Sequence, residues 1–259
     1  MFTKEEKCSK IYMYILLCGE RKFFMADPKY KRILLKLSGE ALEASDGILN
    51  FEFIATVAQV IKKCVDAGVE VGVLVGAGNI WRGRQGGEMN RTRADHMGML
   101  ATTINALALQ DTFIQNGLDA VVMTSVEMNT FADYYTPRHA IEKLSQGKIV
   151  VLGCGTGAPY FSTDTAAVLR AAEIEADAVL MAKNIDGVYS ADPRKDPTAV
   201  KYDELTYAEM IAKELGALDL TAAAFCMANN ITSYAFELKD PMNIYRVAMG
   251  EKIGTELHR

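Results

Sequence analysis

The chain has 259 residues, of which 50% are hydrophobic and 24% are charged, and its formal net charge at pH 7 is -5. This apolar content excludes a wholly disordered chain, and the length suits one large α/β domain or two small ones. The acidic balance disfavours a dedicated nucleic-acid-binding protein, and five cysteines without a CxxC pair and three histidines disfavour a disulfide scaffold or a zinc site.

The first 25 residues differ in composition from the rest of the chain. Lysine and glutamate dominate the first ten positions, and the apolar run at 11–18 is too short to cross a membrane. We therefore predict that residues 1–25 are a flexible extension, and the sequence from Met25 reads like a natural start. A membrane anchor is the competing interpretation, but no stop-transfer pattern accompanies the run. Residues 26–259 are predicted to form a single domain of a cytoplasmic protein.

From Tyr30 onward, short apolar segments alternate with amphipathic ones. Because these strands are continuously apolar, we expect burial on both faces, as in a mostly parallel sheet covered by helices. The polar segment 184–198 is predicted to be a long ordered loop, a type that is often functional. Strands are predicted at 33–37, 69–75, 118–123, 149–152, 178–182 and 232–236, and helices at 51–67, 94–116, 137–145, 163–176, 206–215 and 219–228.

Three predicted strands end in turns rich in small residues, where open α/β sheets bind ligands. The first turn carries Lys36, the second is followed by Arg82, and the third spans 153–159. A lysine, an arginine fork and backbone N–H groups can together hold phosphate. Each turn also has a purely structural interpretation: a solvated lysine, a tight strand-to-helix turn, or capping of the next helix by Ser162 or Thr163.

The chain lacks a Walker A loop, a complete dinucleotide fingerprint and a G-x-S-x-G elbow. Three strand-end glycine turns with Lys36 and Arg82, and without a covalent nucleophile, therefore predict phosphoryl transfer, which depends on positioning and charge neutralisation. His96 is interpreted as a partly buried polar contact, and Met97, Met99 and Leu100 as core or subunit interface.

Six longer motifs follow one another along the chain: YKRILLKLSGEAL at 30–42, DHMGMLAT at 95–102, GTGAPYFSTD at 155–164, EIEAD at 173–177, DGVYSADP at 186–193 and MGEKIGT at 249–255. They resemble bacterial uridylate kinases of the amino-acid-kinase superfamily, and the resemblance runs from about Tyr30 to the end. It implies a three-layer αβα sandwich with a central, mostly parallel open sheet, and a homohexamer. It implies transfer of a phosphoryl group from ATP to UMP, with Mg²⁺ held mainly by the ATP phosphates rather than by protein ligands. Activation by GTP and inhibition by UTP are further expectations.

The resemblance also implies roles for individual residues. The catalytic set is Lys36, Arg82 and Asp164, with Asp164 organising Lys36 and the metal. Ala77 stands where the family often has glycine, and its methyl group could narrow the approach of UMP. The implied ATP-binding residues are Lys36, Leu37, Ser38, Gly39, Gly78, Arg82, Lys183, Asn184, Tyr189 and Asp192, and the implied UMP-binding residues are Ala77, Asp95, Thr156, Gly157, Ala158, Pro159, Tyr160, Phe161, Ser162 and Thr163.

Two alternatives stay open at this point. An acyl-phosphate-forming kinase of the same superfamily would share Lys36 and the ATP side, but would need a carboxylate-binding site in place of Asp95 and the 156–163 segment. A non-catalytic nucleotide-binding protein could use the same fold, since fold alone does not fix function. The joint presence of Lys36, Arg82, Asp95 and Asp164 favours an enzyme.

Overall fold

The computed structural model describes residues 27–81 and 86–259. The predicted extension at 1–25 and the predicted catalytic residue Arg82 lie outside the described residues. The strands in chain order are β1 (Arg32–Leu37), β2 (Glu70–Val75), β3 (Ala120–Thr124), β4 (Asp133–Tyr134), β5 (Ile149–Gly153), β6 (Ala178–Lys183), β7 (Val188–Tyr189), β8 (Lys201–Tyr202), β9 (Glu204–Thr206), β10 (Ser233–Glu237) and β11 (Thr255–His258). The helices are α1 (Phe51–Asp66), α2 (Arg91–Gln115), α3 (Pro137–Ser145), α4 (Thr163–Glu173), α5 (Tyr207–Ala212), α6 (Leu220–Asn229) and α7 (Met242–Ala248).

A nine-stranded sheet with the order β4-β3-β5-β2-β1-β6-β10-β11-β9 forms the middle of the described structure. Only the β10–β11 pair is antiparallel among its described pairs. In β1, side chains alternate between two hydrophobic clusters: Ile33 and Leu35 enter one, and Leu34 enters the other. Burial on both faces explains why the central strands read as unbroken apolar runs.

Each cluster is closed by its own layer of helices. Helices α1, α2 and α7 pack on one face of the sheet, and α3, α4, α5 and α6 pack on the other. The predicted three-layer αβα sandwich with a mostly parallel sheet is therefore confirmed. Within the two described ranges, no helix combines the length and apolar character needed to cross a bilayer.

The predicted elements occur with ends shifted by a few residues, and the local capping chemistry explains the best-placed ends. Asn50 accepts a hydrogen bond from the N–H of Phe53 at 2.9 Å at the start of α1, and Thr206 with Glu209 forms the predicted capping box of α5. Helix α5 ends at Ala212, earlier than predicted. The predicted loop at 184–198 contains β7, which pairs with β8 in a two-stranded hairpin.

One face of α2 departs from the sequence interpretation. Met97 and Leu100 have 39% and 54% of their surface exposed, and Ile104 has 48% exposed. These side chains are therefore not part of the hydrophobic core of the described residues. Of the two roles predicted for Met97 and Leu100, core or subunit interface, the core role is wrong. His96 is also exposed rather than partly buried.

The parallel strands bring the functional loops to one rim of the sheet. Strand β1 pairs with β2 and β6, and β2 pairs with β5, all in the parallel sense. Their carboxyl ends therefore lie side by side, and the chain leaves them through the glycine-containing turns that the sequence singled out.

Candidate active site

Two cavities lie at this rim and meet at the end of β1. The first, of about 640 Å³, is lined by the turns after β1, β2 and β5 and by the start of α2. The second, of about 810 Å³, is lined by the turns after β1 and β6 and by residues 213–217. Lys36, Ser38 and Glu40 line both cavities. Each volume is in the range of small-molecule sites, so the rim can hold two ligands that touch at Lys36.

At the junction between the cavities, two lysines contact the carboxylate of Asp164, and Glu40 lies at the same junction. Lys36 Nζ lies 2.9 Å from Asp164 Oδ1, and Lys183 Nζ lies 3.1 Å from Asp164 Oδ2. Lys183 also donates a hydrogen bond to the carbonyl of Ala217. The sheet sets this spacing, because β1 and β6 are neighbours and Asp164 enters from the first turn of α4.

The charges in this cluster keep the carboxylate ionised. Burial alone would raise the pKa of Asp164, but the charges of Lys36 and Lys183 outweigh it and hold that pKa at about 2. Burial lowers the pKa of Lys183, and Asp164 opposes that effect. Asp164 is therefore an anion that orients two ammonium groups, and it is unsuited to act as a base at neutral pH.

The turns after β1 and β2 pack directly against each other. A Cβ atom added to Gly39 would lie 2.5 Å from the backbone nitrogen of Gly78 and 2.8 Å from the carbonyl oxygen of Gly76, so only glycine fits this contact. Fully buried Asn105 of α2 donates hydrogen bonds to the Gly76 carbonyl at 2.7 Å and to Asn79 Oδ1 at 2.8 Å. The two turns therefore form one unit that is fixed from behind by α2.

The loop after β5 forms the outer wall of the first cavity. Cys154 and Tyr160 adopt positive φ angles of 63° and 71°, a conformation that is uncommon for residues other than glycine. The N–H of Tyr160 donates a hydrogen bond to Asp95 Oδ2 at 2.8 Å, and Arg91 Nε contacts both oxygens of the same carboxylate at 2.9 and 2.8 Å. Asp95 thus links α2 to this loop and keeps its carboxylate at the cavity.

Cys154 is the thiol closest to a catalytic role, because it lines the first cavity. Its side chain is buried, burial raises its pKa, and its sulfur lies 3.2 Å from Thr103 Oγ1. A neutral, buried thiol is a poor nucleophile, so covalent catalysis by Cys154 is disfavoured.

Most of the predicted UMP-binding residues line the first cavity. Gly157 and Pro159 belong to the same loop but do not line the cavity. Gly157 instead packs on Ser125, where an added Cβ would come within 2.9 Å of the serine Cβ. The predicted residues in the lining are Ala77, Asp95, Thr156, Ala158, Tyr160, Phe161, Ser162 and Thr163.

The predicted ATP-binding residues divide between the two cavities. Gly39 and Gly78 line the first cavity, and Leu37 is fully buried in the core, so it can contribute only backbone to the rim. In the second cavity, Tyr189 donates a hydrogen bond to Asp186 Oδ1 at 2.8 Å, and Asp192 pairs with Arg194 at 3.1 Å. The predicted residues that line the second cavity are Lys36, Ser38, Lys183, Asn184, Tyr189 and Asp192.

Asp219 is a site residue that sequence reasoning missed. It caps α6 by accepting from the N–H of Ala222 at 2.9 Å, and it also accepts from the hydroxyls of Thr165, at 3.0 Å, and Ser162. The sequence signal at this position was only the start of a helix. Its place beside the first cavity follows from the packing of α6 against α4, which no local pattern encodes.

The described ranges contain no group of three His, Cys, Asp or Glu side chains arranged to hold a metal ion. Asp164 at the junction already faces two ammonium groups. A magnesium ion that enters with a polyphosphate keeps most of its contacts to phosphate and water and needs few protein ligands.

Comparison with known proteins finds relatives that are all kinases. The model of the amino acid kinase family matches residues 31–235. The crystal structure of UMP kinase from Bacillus anthracis has a TM-score of 0.85 and 35% identity, covering 88% of this chain and 96% of that chain. UMP kinase from Ureaplasma parvum has a TM-score of 0.84 and 34% identity, covering 88% and 99%. Uridylate kinase from Archaeoglobus fulgidus has a TM-score of 0.68 and 30% identity, covering 87% and 99%.

Proposed function

The chain belongs to the amino acid kinase family, and from this premise we propose that it is a UMP kinase that transfers the γ-phosphoryl group of ATP to UMP. The observation that carries the proposal is the sharing of Lys36 and Ser38 between two cavities of nucleotide size. A phosphoryl group held at that junction is within reach of both ligands. The solved relatives of 30–35% identity bear the same activity in their names.

We assign UMP to the first cavity and ATP to the second. In the first, the carboxylate of Asp95 can accept from ribose hydroxyls, and the 156–163 loop encloses the base. In the second cavity, Tyr189 and Asp192 lie beside the nucleoside of ATP. Lys183 lies at the end of this cavity that adjoins the first one. Arg82, outside the described residues, is predicted to face the transferring phosphates.

The reaction needs no catalytic base on the protein. An anionic oxygen of the UMP phosphate attacks the γ-phosphorus of ATP, the bond from that phosphorus to the β-phosphate oxygen breaks, and ADP leaves. Negative charge on the phosphoryl oxygens and the leaving oxygen is stabilised by Lys36 and Lys183, which Asp164 holds in place. The ammonium groups of Lys36 and Lys183 place positive charge beside the transferring phosphoryl group, which suits a polyanionic transition state.

Mg²⁺ is proposed to enter as part of the MgATP substrate. When bound, the ion would supply positive charge that offsets the negative charge of the phosphates. The residues of this chain bind and orient the phosphates around it through Lys36, Lys183 and the backbone of the turn at Ser38.

We further propose that the enzyme works in the cytoplasm as a homohexamer. The exposed apolar face of α2 formed by Met97, Leu100 and Ile104 is the kind of surface that a subunit contact would cover. Activation by GTP and inhibition by UTP belong to the same proposal, and adding each nucleotide to the purified enzyme tests them.

A coupled assay of ADP release tests the activity itself. UMP, CMP, glutamate and carbamate are compared as acceptors with ATP and Mg²⁺. We expect UMP to give the highest kcat/KM. Turnover of glutamate or carbamate in preference to UMP would instead identify an acyl-phosphate-forming kinase, and binding of UMP and ATP without ADP release would identify a non-catalytic nucleotide-binding protein.

A further inference from the structure

Arg170 is a buried charge behind the first cavity rather than in its lining. It lies in α4 with only 5% of its surface exposed. Its Nη1 atom donates to Glu173 Oε2 at 2.5 Å, and its guanidinium stacks over the ring of Tyr135 at 4.2 Å from the centroid. Tyr135 in turn donates its hydroxyl to the same Glu173 oxygen at 2.8 Å. The guanidinium is thereby held in one orientation.

The other end of the guanidinium faces the wall of the first cavity. Its Nη2 atom donates to Ser125 Oγ at 2.9 Å and to the carbonyl oxygens of Gly155 and Thr156, each at 3.3 Å. Ser125 reinforces the contact by donating its hydroxyl to the Gly155 carbonyl at 2.8 Å. Three polar groups therefore converge on one nitrogen at the back of the loop after β5.

Packing alone does not explain an arginine at this position. The other buried side chains of α4 are small or aliphatic, and burying a charge is costly. The Nη1 and Nη2 atoms of Arg170 have partners, but its buried Nε has none among the described residues, so the arginine is not explained by its own stability. A planar fork, however, can reach a carboxylate on one side and two carbonyls on the other, which a lysine cannot do. The contacts with Gly155 and Thr156 are the part of this arrangement that touches the site.

The loop held by Arg170 is conformationally unusual. Cys154 and Gly155 have φ angles of 63° and 56°, and Gly157 has a φ of 80°. Glycine adopts a positive φ readily, but for Cys154 such a conformation persists only where the surroundings hold it. Thr102 Oγ1 accepts from the N–H of Cys154 at 2.8 Å, so one end of the loop is fixed by α2 and its middle by Arg170.

We propose that Arg170 is a positioning residue for the acceptor nucleotide, acting through the carbonyls of Gly155 and Thr156. It holds the loop in the shape that receives UMP, while contacting neither nucleotide. This inference rests on the proposed assignment of UMP to the first cavity. The second cavity, which contains no part of this loop, keeps its affinity for ATP when Arg170 changes.

Steady-state kinetics of Arg170→Lys and Ser125→Ala tests the proposal. Arg170→Lys keeps the charge but loses the fork, and we expect the KM for UMP to rise about 10-fold, since small displacements of binding groups have effects of this order. The KM for ATP and kcat at saturating UMP stay within about twofold. Ser125→Ala removes one of the two donors to the Gly155 carbonyl and gives a smaller, equally selective rise.

Val168→Ala is the matched control, because Val168 is fully buried on the same helix and belongs to the hydrophobic cluster on that face of the sheet. It is expected to lower the melting temperature and leave both KM values unchanged. If Arg170→Lys behaves like this control, or raises the two KM values alike, the inference is overturned. If Arg170→Lys does not fold, Ser125→Ala decides, and an unchanged KM for UMP is the refuting result. A wild-type enzyme that does not phosphorylate UMP would instead refute the proposed function.

Discussion

Lys36 is one of the residues at which the two cavities meet, and it is nearly enclosed by protein. A charge held there acts chiefly on the phosphoryl group in transit, so its loss should affect the transition state more than the binding of UMP. We expect Lys36→Ala to lower kcat by at least ~10²-fold with a small change in UMP affinity.

The single tryptophan of the chain offers a direct measurement of that affinity. Trp81 lines the first cavity and donates its indole N–H to the Ala94 carbonyl at 2.8 Å, so its fluorescence should respond to UMP. Lys36→Ala should retain the titration curve of the wild type while losing turnover. Unchanged turnover would remove Lys36 from the mechanism.

Asp164 should link stability to pH in a predictable window. Its pKa is about 2 in the folded protein against 3.8 for the free side chain, so the ionised form stabilises the fold. That contribution, of about 2 kcal/mol, is complete above the ordinary pKa and is lost as the pH falls through 3.8 towards 2. Urea unfolding of the wild type and Asp164→Asn should show a difference in the free energy of unfolding that narrows from pH 6 to pH 3. If the difference in the free energy of unfolding does not change with pH, the lowered pKa of Asp164 is contradicted.

Sequence reasoning reached some site residues and missed others for a physical reason. Lys36 stands at a strand end beside a glycine turn, a pattern that indicates a ligand site in open sheets. Arg170 and Asp219 carry no such signal, because a charged residue in a helical segment is expected to be solvated. Their roles come from which helix faces pack together, and this becomes visible only in three dimensions.

At the scale of elements, the contact between the turns after β1 and β2 fixes the wall of the first cavity to the strand end that carries Lys36. A methyl group at Gly39 would clash with backbone atoms of Gly76 and Gly78, which cannot yield like a flexible side chain. We expect Gly39→Ala to separate the turns and to lower kcat/KM for both substrates by at least ~10-fold, an estimate based on the cost of misplacing reacting groups.

Gly47→Ala is the natural control for this prediction. Gly47 lies close in sequence, but an added Cβ there meets nothing within 4 Å, and its φ is not in the left-handed region. This variant should keep wild-type kinetics in the same coupled assay. Wild-type kinetics in Gly39→Ala as well would show that the two turns need not touch for catalysis.

Elements marked in the sequence by a capping residue or an apolar run could be predicted. Strands that depend on pairing with other strands could not. Helix α3 was predicted at its observed bounds, since Thr136 caps it and Pro137 opens its first turn. Strand β4 has two exposed residues, and β11 depends on antiparallel pairing with β10. Neither carries the apolar run that marked the central strands, so these outer strands of the sheet were missed while its middle was found.

At the scale of the whole molecule, the exposed apolar face of α2 indicates where we expect subunits to contact each other. Met97, Leu100 and Ile104 recur at helical spacing and are each at least 39% exposed, although α2 is otherwise built into the core through residues such as Leu109 and Phe113. Exposed apolar side chains grouped on one face are typical of a surface that another subunit covers. We therefore expect Leu100→Glu to weaken the assembly, because pairing would bury an unpaired carboxylate.

Light scattering after size-exclusion chromatography measures this effect directly. The wild type should elute with the mass of six chains of 28.4 kDa, and Leu100→Glu should give smaller species at the same concentration. Val200→Glu is the matched control, since Val200 is 65% exposed and lies outside α2, and it should keep the wild-type mass. A monomeric wild type would refute the hexamer, and an unchanged mass in Leu100→Glu would place the subunit contact elsewhere on the surface. Because α2 also carries Asp95 and Asn105, which hold the walls of the first cavity, loss of the contact should raise the KM for UMP more than that for ATP.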